Sequence, residues 1–339
     1  MTDLRKTQAE AFLQRAGWGA ATRRHLAGDA SDRSYQRLTL NDRSAVLMDA
    51  PPGRGDDPRD FARIAGHLRA LGLSAPEVMA SDFDHGFLLL EDLGDGIFAR
   101  LVSQAPAREP ALYYAAAEVL LHLQAAPAPE NLPDPGAADW ARAAAFALDW
   151  YRHAILGDSG DRELFVDCLT RSLRRLADGP RVLILRDYHA ENLLWLDDRS
   201  GLARVGLLDF QLAQMGQPAY DLVSLLQDAR RDVAPETETA VCATFRKALD
   251  IPADHFSATY AALGAQRALR ILGIFARLCL VAGKPAYLRL APRVWGQLQR
   301  NLAHPELTEL AGVCARLLPE PTPEALVRIE GQCCAFPTP

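Results

Sequence analysis

An α+β fold is predicted, in which a small N-terminal lobe with an antiparallel sheet and one helix precedes a large, mostly helical C-terminal lobe. Apolar and polar residues alternate through residues 21–49, as they do in strands, on both sides of a turn at residues 41–42. After residue 93 the pattern changes to long Ala- and Leu-rich segments with helical spacing. The two lobes are therefore expected at residues 1–93 and 94–339.

The N-terminal lobe is predicted to consist of short elements. Residues 1–18 favour an amphipathic helix, which leads into the hairpin just described. In residues 57–72 apolar residues recur at helical spacing, and Gly72 supplies a C-terminal stop. Two further strands, EVMASD and GFLLLED, follow at residues 77–82 and 86–92.

The C-terminal lobe is predicted to be mostly helical. Helical patterns lie near residues 109–126, 138–155, 161–177, 254–283, 285–302 and 306–318. The strand-like segments of this lobe are VLIL, LLWL and ARVGLLDF, at residues 182–185, 193–196 and 203–210. These strands flank two polar loops, which are the main candidates for a functional site.

Bulk properties exclude several classes of partner. The chain has 339 residues, 49% of them hydrophobic, and a net charge of -6 without a concentrated basic block, so neither nucleic acid nor a membrane is an expected partner. The six cysteines form no CxxC pair, the N-terminus lacks the apolar core of a signal peptide, and arginines interrupt the most apolar segment, residues 263–283. A cytoplasmic protein is expected, and no obligate protein partner is inferred.

Residues 185–211, LRDYHAENLLWLDDRSGLARVGLLDFQ, carry the strongest chemical signal. Asp187 and Asn192 lie five residues apart, and Asp209 follows seventeen residues later, after a β-turn-β pattern. Phosphoryl transfer needs an acceptor for the proton of the attacking hydroxyl and oxygen ligands for Mg²⁺, and protein kinases supply them from H-R-D, Asn and D-F-G motifs. We predict Asp187 as catalytic base, with Asn192 and Asp209 as Mg²⁺ ligands. Turn formation and strand capping explain each residue singly but not their joint spacing.

Four neighbouring positions are predicted to support these loops. Leu185 and Gln211 replace the His of H-R-D and the Gly of D-F-G, and the loss of that glycine argues against a loop that flips as a switch. His189 is expected to pack the loop or to lie at the edge of the substrate, since Asp187 already holds the position of the base. Asp221 begins the helix after the metal loop, where an acid can cap N–H groups, so a structural role is expected.

The nucleotide-binding residues carry a weaker signal. The strand GFLLLEDLGDG ends in a Gly-rich connection, and we predict that the exposed backbone from Glu91 to Leu93 binds the adenine of ATP; an ordinary strand end is the alternative. The loop GDASDRS is expected to bind phosphates through backbone N–H groups and the Ser31 hydroxyl, against the alternative of a plain hairpin loop. Val46 and Leu194 complete the predicted contacts with the nucleotide.

The phosphate-binding lysine of protein kinases is missing. Alignment of AVLM with the kinase strand V-A-I-K places Met48 at the lysine, and residues 58–71, the helix that should carry the partner Glu, contain no Glu. Arg33 and Arg37 are the candidate replacements, because a guanidinium grips phosphate through a rigid fork of donors. The alternative is that each is a solvated strand residue.

Five segments resemble the superfamily of aminoglycoside phosphotransferases and choline kinases, and within it the bacterial anomeric kinases of N-acetylmuramate and N-acetylglucosamine. They are VLMDAPP, GFLLLEDLG, LRDYHAENLL, GLLDFQLAQMGQPAYDLVSLLQDAR and RILGIFARL. The resemblance implies a two-lobed protein-kinase-like fold and the use of ATP and Mg²⁺. It also implies a small-molecule amino sugar as partner, converted to its 1-phosphate in peptidoglycan recycling. Members of that family also have VMD in place of the lysine strand.

Two other functions stay open at this point. The acceptor could be another small alcohol of the aminoglycoside, choline or homoserine type, although a cationic acceptor calls for clustered acids that the sequence does not display. A non-catalytic nucleotide-binding regulator would explain the missing lysine, but a binding module has no need of the base that Asp187 represents.

Arginines on one helix suggest a contact with the acceptor. At about 100° per residue, Arg270 and Arg277 fall on nearly the same face of the helix at residues 254–283, with Arg267 close to it. A solvated stripe is the alternative. If one of them faces the acceptor, its guanidinium suits the lactyl carboxylate of N-acetylmuramate.

Overall fold

In a computed structural model the chain is described at residues 3–27, 33–53 and 55–335. The α-helices in chain order are α1 Asp3–Arg15, α2 Pro58–Ala70, α3 Phe98–Gln104, α4 Glu109–Ala125, α5 Ala137–Ala144, α6 His153–Leu156, α7 Arg162–Leu176, α8 Ala219–Leu226, α9 Pro235–Ala248, α10 Ala253–Leu280, α11 Ala291–Leu302, α12 Thr308–Leu317 and α13 Pro323–Glu330. The strands are β1 Thr22–Ala27, β2 Ser34–Leu40, β3 Arg43–Asp49, β4 Val78–Asp82, β5 Phe87–Glu91, β6 Val182–Ile184, β7 Leu193–Trp195, β8 Val205–Leu207 and β9 Gln214–Gly216.

Backbone contacts divide the chain into two compact units. The sheet unit comprises Met1–Asn131 and Leu185–Ala213, and the helical unit comprises Leu132–Ile184 and Gln214–Pro339. The two polar loops of residues 185–211 therefore belong to the same unit as the N-terminal sheet, although more than fifty residues of the helical unit separate them in sequence. The lobe boundary expected after residue 93 falls inside the sheet unit and stays a prediction.

The sheet unit is built around five antiparallel strands in the order β1-β2-β3-β5-β4. β2 and β3 form the predicted hairpin, with Leu40 opposite Arg43. Asn41 in the turn has φ = 54°, a left-handed conformation that Asn adopts more readily than most residues. The predicted small antiparallel sheet, followed by a mostly helical remainder, is confirmed.

One face of this sheet is covered by α1. Phe12 stacks on Phe87 with ring centroids 5.8 Å apart, and Arg5 hydrogen-bonds the buried carboxylate of Asp49 with Nε at 2.9 Å. The cluster they belong to consists of Ala9, Phe12, Leu13, Trp18, Ala21, Leu38, Ala45, Leu47, Phe87 and Leu89. Each large side chain buried in this way contributes about 1.5–3 kcal/mol, so the N-terminal helix is an integral part of the sheet unit.

The central strand β3 is buried on both faces. Leu47 belongs to the cluster beneath α1, and side chains alternate along a strand, so Val46 and Met48 lie on the opposite face. Met48 is 0% exposed. The position that a kinase lysine would occupy is therefore an apolar one.

The hairpin β7–β8 joins the sheet unit through two backbone contacts. The Ser74 carbonyl accepts from the N–H of Leu207 at 2.9 Å. The Gly96 carbonyl accepts from the N–H of Trp195 at 2.7 Å, and a Cβ on Gly96 would come within 2.3 Å of the Trp195 carbonyl oxygen, so only glycine permits this approach. The Gly-rich connection after β5 and the chain after α2 thus hold the two strands that carry the polar loops.

The helical unit is centred on α10, a helix of 28 residues that packs against α5, α7, α8 and α11. Buried amides tie these helices together: Gln266 donates to the Trp140 carbonyl at 3.0 Å, and Gln227 and Asn301 exchange two hydrogen bonds at 3.1 and 2.8 Å. The two-stranded sheet β6-β9 also belongs to this unit. Among the residues that the structure describes, no helix is both long enough and apolar enough to cross a membrane.

The predicted helices are present, with differences at specific points. The helix expected at 138–155 changes to a π-helix at Ala147–Arg152, where α10 approaches so closely that a Cβ on Gly273 would lie 2.2 Å from the Phe146 carbonyl carbon. The helix expected at 285–302 begins as a 3-10 segment, Pro285–Leu290. Helices α3, α9 and α13 were not predicted.

We expect Met48→Lys to lower the free energy of unfolding by about 4 kcal/mol at pH 7. An unpaired buried ammonium has a pKa below that of the unfolded chain, each unit costs about 1.4 kcal/mol, and the folded protein binds fewer protons than the unfolded chain. The loss must therefore shrink as pH rises towards 10. Urea unfolding at pH 7 and pH 9.5 measures it, with Met48→Leu as the control of similar volume. A wild-type melting curve together with a raised kcat/KM would mean that this position accepts a phosphate-binding cation.

Candidate active site

The loop before β7 holds Asp187 in a tight backbone turn. The N–H of Asp187 donates to the Leu185 carbonyl at 2.9 Å, and the residue between them, Arg186, has φ = 72°, so the three residues form a γ-turn of the rare positive-φ type. Such a conformation costs about 1–3 kcal/mol and persists where the surroundings require it. One restraint is the Tyr188 hydroxyl, which donates to the Ala116 carbonyl at 2.9 Å.

Asn192 closes the same loop. Its side-chain Nδ2 donates to the Asp187 carbonyl at 2.9 Å, and its backbone N–H donates to the His189 carbonyl at 2.8 Å. Because Nδ2 is turned inwards, Oδ1 is turned away from that carbonyl and is the atom available to a cation. The buried His189 ring lies with Nε2 3.4 Å from Nδ2, which supports its role in packing the loop; contact with an acceptor stays a prediction.

The hairpin brings Asp209 next to Asn192. Leu194 pairs with Gly206, and the ladder continues past the strand ends, where the N–H of Leu208 donates to the Asn192 carbonyl at 3.0 Å. Asp209 follows directly and has φ = 57°, a conformation that Asp tolerates better than most residues. The two polar loops therefore meet at one end of the hairpin.

Two neighbours fix the orientation of Asp209. Phe210 is fully buried and stacks on Phe61 of α2 with ring centroids 4.8 Å apart. Gln211 is also buried, and its Nε2 donates to Asp209 Oδ1 at 3.0 Å. A side chain that packs on α2 and an amide that holds the carboxylate restrain this loop, consistent with the expectation that it does not act as a switch.

Arg33 lies against the same carboxylate. One guanidinium nitrogen donates to Asp209 Oδ1 at 2.8 Å and is 3.6 Å from Asp56 Oδ2. Burial by itself lowers the pKa of Arg33, but the negative charges of Asp209 and Asp56 and the hydrogen bond to Asp209 act in the opposite direction, and the pKa is raised. Burial raises the pKa of Tyr35 to about 12, so this phenol stays neutral. Arg33 is therefore a permanent cation beside the candidate metal ligand.

An apolar surface adjoins this polar group. A Cβ on Gly206 would lie 3.3 Å from a Leu93 methyl carbon and 3.2 Å from Leu194 Cβ, so both leucines pack over the glycine. Val46 lies on β3, almost buried, on the same face as Met48. Leu93 and Leu194 thus lie on or next to the strands that hold the polar loops, and Val46 lies elsewhere in the same unit; contact with adenine stays a prediction.

Glu91 is engaged within the protein. Its N–H donates to the Glu77 carbonyl at 2.9 Å, and its carboxylate accepts from Arg69 at 3.3 Å and from Arg199. Arg199 also donates to the Ser74 hydroxyl at 2.7 Å. A backbone contact between Glu91 and adenine would therefore have to use the Glu91 carbonyl.

The remaining candidates of the phosphate region have different positions. Arg37 pairs with Asp92 and Asp95 at 2.8 Å and donates to the Gly94 carbonyl at 3.1 Å, so it braces the Gly-rich connection and has no contact with Asp209. Ser31 lies outside the described residues, and its predicted contact with phosphate stays a prediction.

The oxygen donors of the site fit Mg²⁺. Asn192 Oδ1 and the Asp209 carboxylate are hard ligands, and in nucleotide sites Mg²⁺ binds one or two protein oxygens while phosphates and waters complete its shell. Within residues 3–27, 33–53 and 55–335, no three His, Cys, Asp or Glu side chains converge as a metal cage. The donor set therefore fits a cation that arrives with a nucleotide better than a permanent metal centre.

Four predicted residues belong to the helical unit. Asp221 is fully buried in the first turn of α8, consistent with a structural role. Arg270 and Arg277 are half-buried on α10, and the Arg277 guanidinium lies 5.7 Å from the Trp150 ring centroid. Arg267 is buried and donates to the Tyr220 hydroxyl at 3.4 Å, so this helix face is not simply solvated. Whether Arg270 and Arg277 contact an acceptor stays a prediction.

Two residues of the site were not among the sequence predictions. Asp56 and Gly206 have no motif of their own: Asp56 lies in the polar segment GDDP before α2, and Gly206 is a single glycine in a strand. An isolated glycine in a strand is a known sign that another segment packs closely against it, and this was the only sequence signal for Gly206. Asp56 had none.

The fold is that of small-molecule kinases. A sequence profile described as "Phosphotransferase enzyme family" matches residues 22–262, and the chain belongs to this family. A choline/ethanolamine kinase family protein from Mesorhizobium loti has the same fold, with a TM-score of 0.60, 16% identity and coverage of 96% of this chain and 99% of the other. An aminoglycoside phosphotransferase solved as a ternary complex with ADP and hygromycin B has a TM-score of 0.62, 16% identity and coverage of 90% and 99%. The predicted two-lobed kinase-like fold is confirmed.

Relatives with higher sequence identity are named for specific substrates. The N-acetylmuramate/N-acetylglucosamine kinase of Caulobacter vibrioides is 38% identical, over 94% of this chain and 98% of the relative. Its namesake from Pseudomonas aeruginosa is 34% identical, over 89% and 91%. The resemblance to this group of kinases, stated from five short segments, is confirmed over nearly the whole chain.

We expect Asp187→Asn to lower kcat by about 10²–10⁴ while nucleotide affinity stays within a factor of about three, as for loss of a positioned base. The Asn192 amide binds the Asp187 backbone carbonyl, so the substitution leaves the loop bond intact. Turnover and calorimetric Mg-ADP binding are measured together. Glu191→Gln, an exposed acid in the same loop, is the control. Near-wild-type turnover would remove Asp187 from the mechanism.

We expect Asp209→Asn and Asp209→Ala to reduce activity to background, because the cation loses its carboxylate ligand. Asn tolerates the positive φ of this position, so it separates loss of charge from backbone strain. A circular dichroism melt and an assay at raised Mg²⁺ are the measurements, and Asp198→Ala in the exposed β7–β8 turn is the control. Substantial activity of a folded Asp209 variant contradicts the assignment.

Proposed function

We propose that this phosphotransferase is an ATP-dependent amino-sugar kinase that phosphorylates the anomeric hydroxyl of N-acetylmuramate, N-acetylglucosamine or both, giving the sugar 1-phosphate. The observation that supports an amino sugar as the acceptor is the 38% identity, over 94% of the chain, to a kinase named for these two sugars. The arrangement of Asp187, Asn192 and Asp209 supports the type of reaction. The structural neighbours named for choline and aminoglycosides are 16% identical, so they support the fold and not the acceptor.

In the proposed reaction, Asp187 accepts the proton of the anomeric hydroxyl as its oxygen bonds to the γ-phosphorus of ATP. The bond from that phosphorus to the bridging oxygen breaks, ADP leaves, and Asp187 later releases the proton to water. An anomeric hydroxyl is more acidic than an ordinary alcohol because the ring oxygen withdraws electron density, so a carboxylate is a sufficient acceptor. Asp187 is half-buried.

The other residues of the site are assigned to charge and position. Asn192 and Asp209 would hold Mg²⁺, which when bound neutralises phosphate charge and orients the transferred group. Arg33 takes the role of the missing lysine, since it is a permanent cation at Asp209. Val46, Leu93 and Leu194 would hold the adenine on an apolar surface.

A cytoplasmic location and a place in peptidoglycan recycling are part of the proposal. All six cysteines are unbridged, as expected where thiols stay reduced, and ATP is available inside the cell. The product chemistry requires a preceding step that releases the free amino sugar and a following step that consumes a sugar 1-phosphate.

An acceptor panel tests the function. Wild-type protein with Mg-ATP is assayed on N-acetylmuramate, N-acetylglucosamine, an aminoglycoside, choline and homoserine, and two-dimensional ³¹P–¹H NMR locates the new phosphate. Phosphate on the anomeric oxygen of an amino sugar supports the proposal. Phosphate elsewhere on the sugar, or turnover only with another alcohol, overturns it.

We expect Arg270→Ala or Arg277→Ala to reduce kcat/KM for N-acetylmuramate by about 10- to 150-fold, which corresponds to about 1.5–3 kcal/mol for a hydrogen bond to a charged group. N-acetylglucosamine lacks the lactyl carboxylate, so its kcat/KM should barely change. Arg289→Ala, an exposed arginine nearby in sequence, is the control. An equal decrease in kcat/KM for both sugars would contradict a contact with the lactyl carboxylate.

A further inference from the structure

Asp56 is a carboxylate beside Arg33 that has no role in the proposed reaction. Its Oδ2 lies 3.6 Å from an Arg33 guanidinium nitrogen and 3.4 Å from Gln211 Nε2. The same two donors contact Asp209 Oδ1 at 2.8 and 3.0 Å. Two nitrogen donors are thus shared between two carboxylates, of which one is the candidate metal ligand.

Capping of α2 does not explain Asp56. The N-cap of α2 is Asp57, whose carboxylate accepts from the Arg59 N–H at 2.8 Å. Asp56 precedes the cap, and its carboxylate is turned towards residues that are distant in sequence. The position of the Asp56 carboxylate is therefore explained by its contacts with Arg33 and Gln211, not by helix capping.

The charges around Arg33 change when Asp209 binds a cation. The Arg33 side chain is 8% exposed, and a guanidinium this deeply buried needs a carboxylate partner. If Asp209 ligated Mg²⁺ and Arg33 turned to phosphate, Asp209 would no longer serve Arg33 alone. Asp56, with a side chain 28% exposed, is a second carboxylate within 3.6 Å of the guanidinium and would be available to Arg33 in that state.

In protein kinases a lysine contacts the nucleotide phosphates and a glutamate holds that lysine. Neither residue is present at the corresponding position of this chain. Met48 occupies the lysine position, and α2 (PRDFARIAGHLRA) contains no Glu. The cation comes instead from the residue before β2, and the acid comes from the loop before α2. Arg33 and Asp56 thus lie on other elements than the kinase lysine and glutamate, but they are still close to each other.

We propose that Asp56 is a positioning residue that holds the Arg33 guanidinium at the nucleotide phosphates, so that Arg33 and Asp56 together replace the lysine–glutamate pair. This inference rests on the proposed kinase function. Gln211 donates to both carboxylates and keeps them at a fixed separation. Asp56 acts on binding of the nucleotide and has no contact with the sugar.

Variants of Asp56 test the proposal through nucleotide affinity. Asp56→Asn should raise the Kd for Mg-AMPPNP, an ATP analogue that cannot transfer its phosphoryl group, and the KM for Mg-ATP by about 5- to 20-fold, the range for a partly exposed coupled pair. The kcat and the KM for the sugar should change less than about threefold. Asp56→Glu should restore most of the affinity, and the melting temperature should stay near wild type. The control is Asp60→Asn, since Asp60 is paired only with exposed Arg63 at 3.2 Å among the described contacts.

A double-mutant cycle decides whether Asp56 acts through Arg33. In an Arg33→Gln background, Asp56→Asn should change the Kd for Mg-AMPPNP by less than about twofold, because the guanidinium that it positions is gone. An undiminished effect in that background, or an Asp56→Asn variant with wild-type affinity, overturns the inference. Calorimetric binding needs no sugar, so wild-type protein that binds Mg-AMPPNP but phosphorylates no amino sugar would contradict the proposed function and leave this inference standing.

Discussion

The hydrogen bond from the Leu208 N–H to the Asn192 carbonyl is the contact on which the site depends. It extends the short β7–β8 ladder by one step beyond the strand ends. The Asn192 side chain then reaches the backbone of Asp187, so the candidate base and both candidate metal ligands are positioned by one hairpin. The hairpin is itself bonded to Ser74 and Gly96, so the two polar loops are attached to the sheet unit.

Electrostatics explains why the strand position of the kinase lysine holds an apolar residue in this chain while an arginine lies beside Asp209. A strand lysine at position 48 would be buried without a partner, and the chain has an apolar methionine there. Arg33, the residue before β2, brings a positive charge to Asp209, and the same guanidinium nitrogen lies near the carboxylates of both Asp209 and Asp56. Arg differs from Lys in its planar fork of donors, so one guanidinium can contact two acids, or an acid and a phosphate, at the same time.

The comparisons separate the reaction from the acceptor. Enzymes named for choline and for aminoglycosides share the fold at 16% identity, whereas the kinases named for N-acetylmuramate and N-acetylglucosamine share 34–38% identity over most of the chain. One fold hosts many functions, so a shared fold does not fix the acceptor. On α10, Arg267 is buried and Arg270 and Arg277 are half-buried.

The sequence by itself determined the lobe order, most helices and the three loop residues, because helical periodicity is local and because the spacing of Asp187, Asn192 and Asp209 is set by a short hairpin. It also determined that the strand lysine is missing. Only the tertiary structure decided which cation lies beside Asp209: Arg33 is 176 residues from Asp209 in the chain, and no local pattern encodes that contact. The same holds for Asp56, for Gly206 beneath two leucines and for the π-turn opposite Gly273, since each depends on how closely two distant segments pack, which periodicity along one segment cannot report.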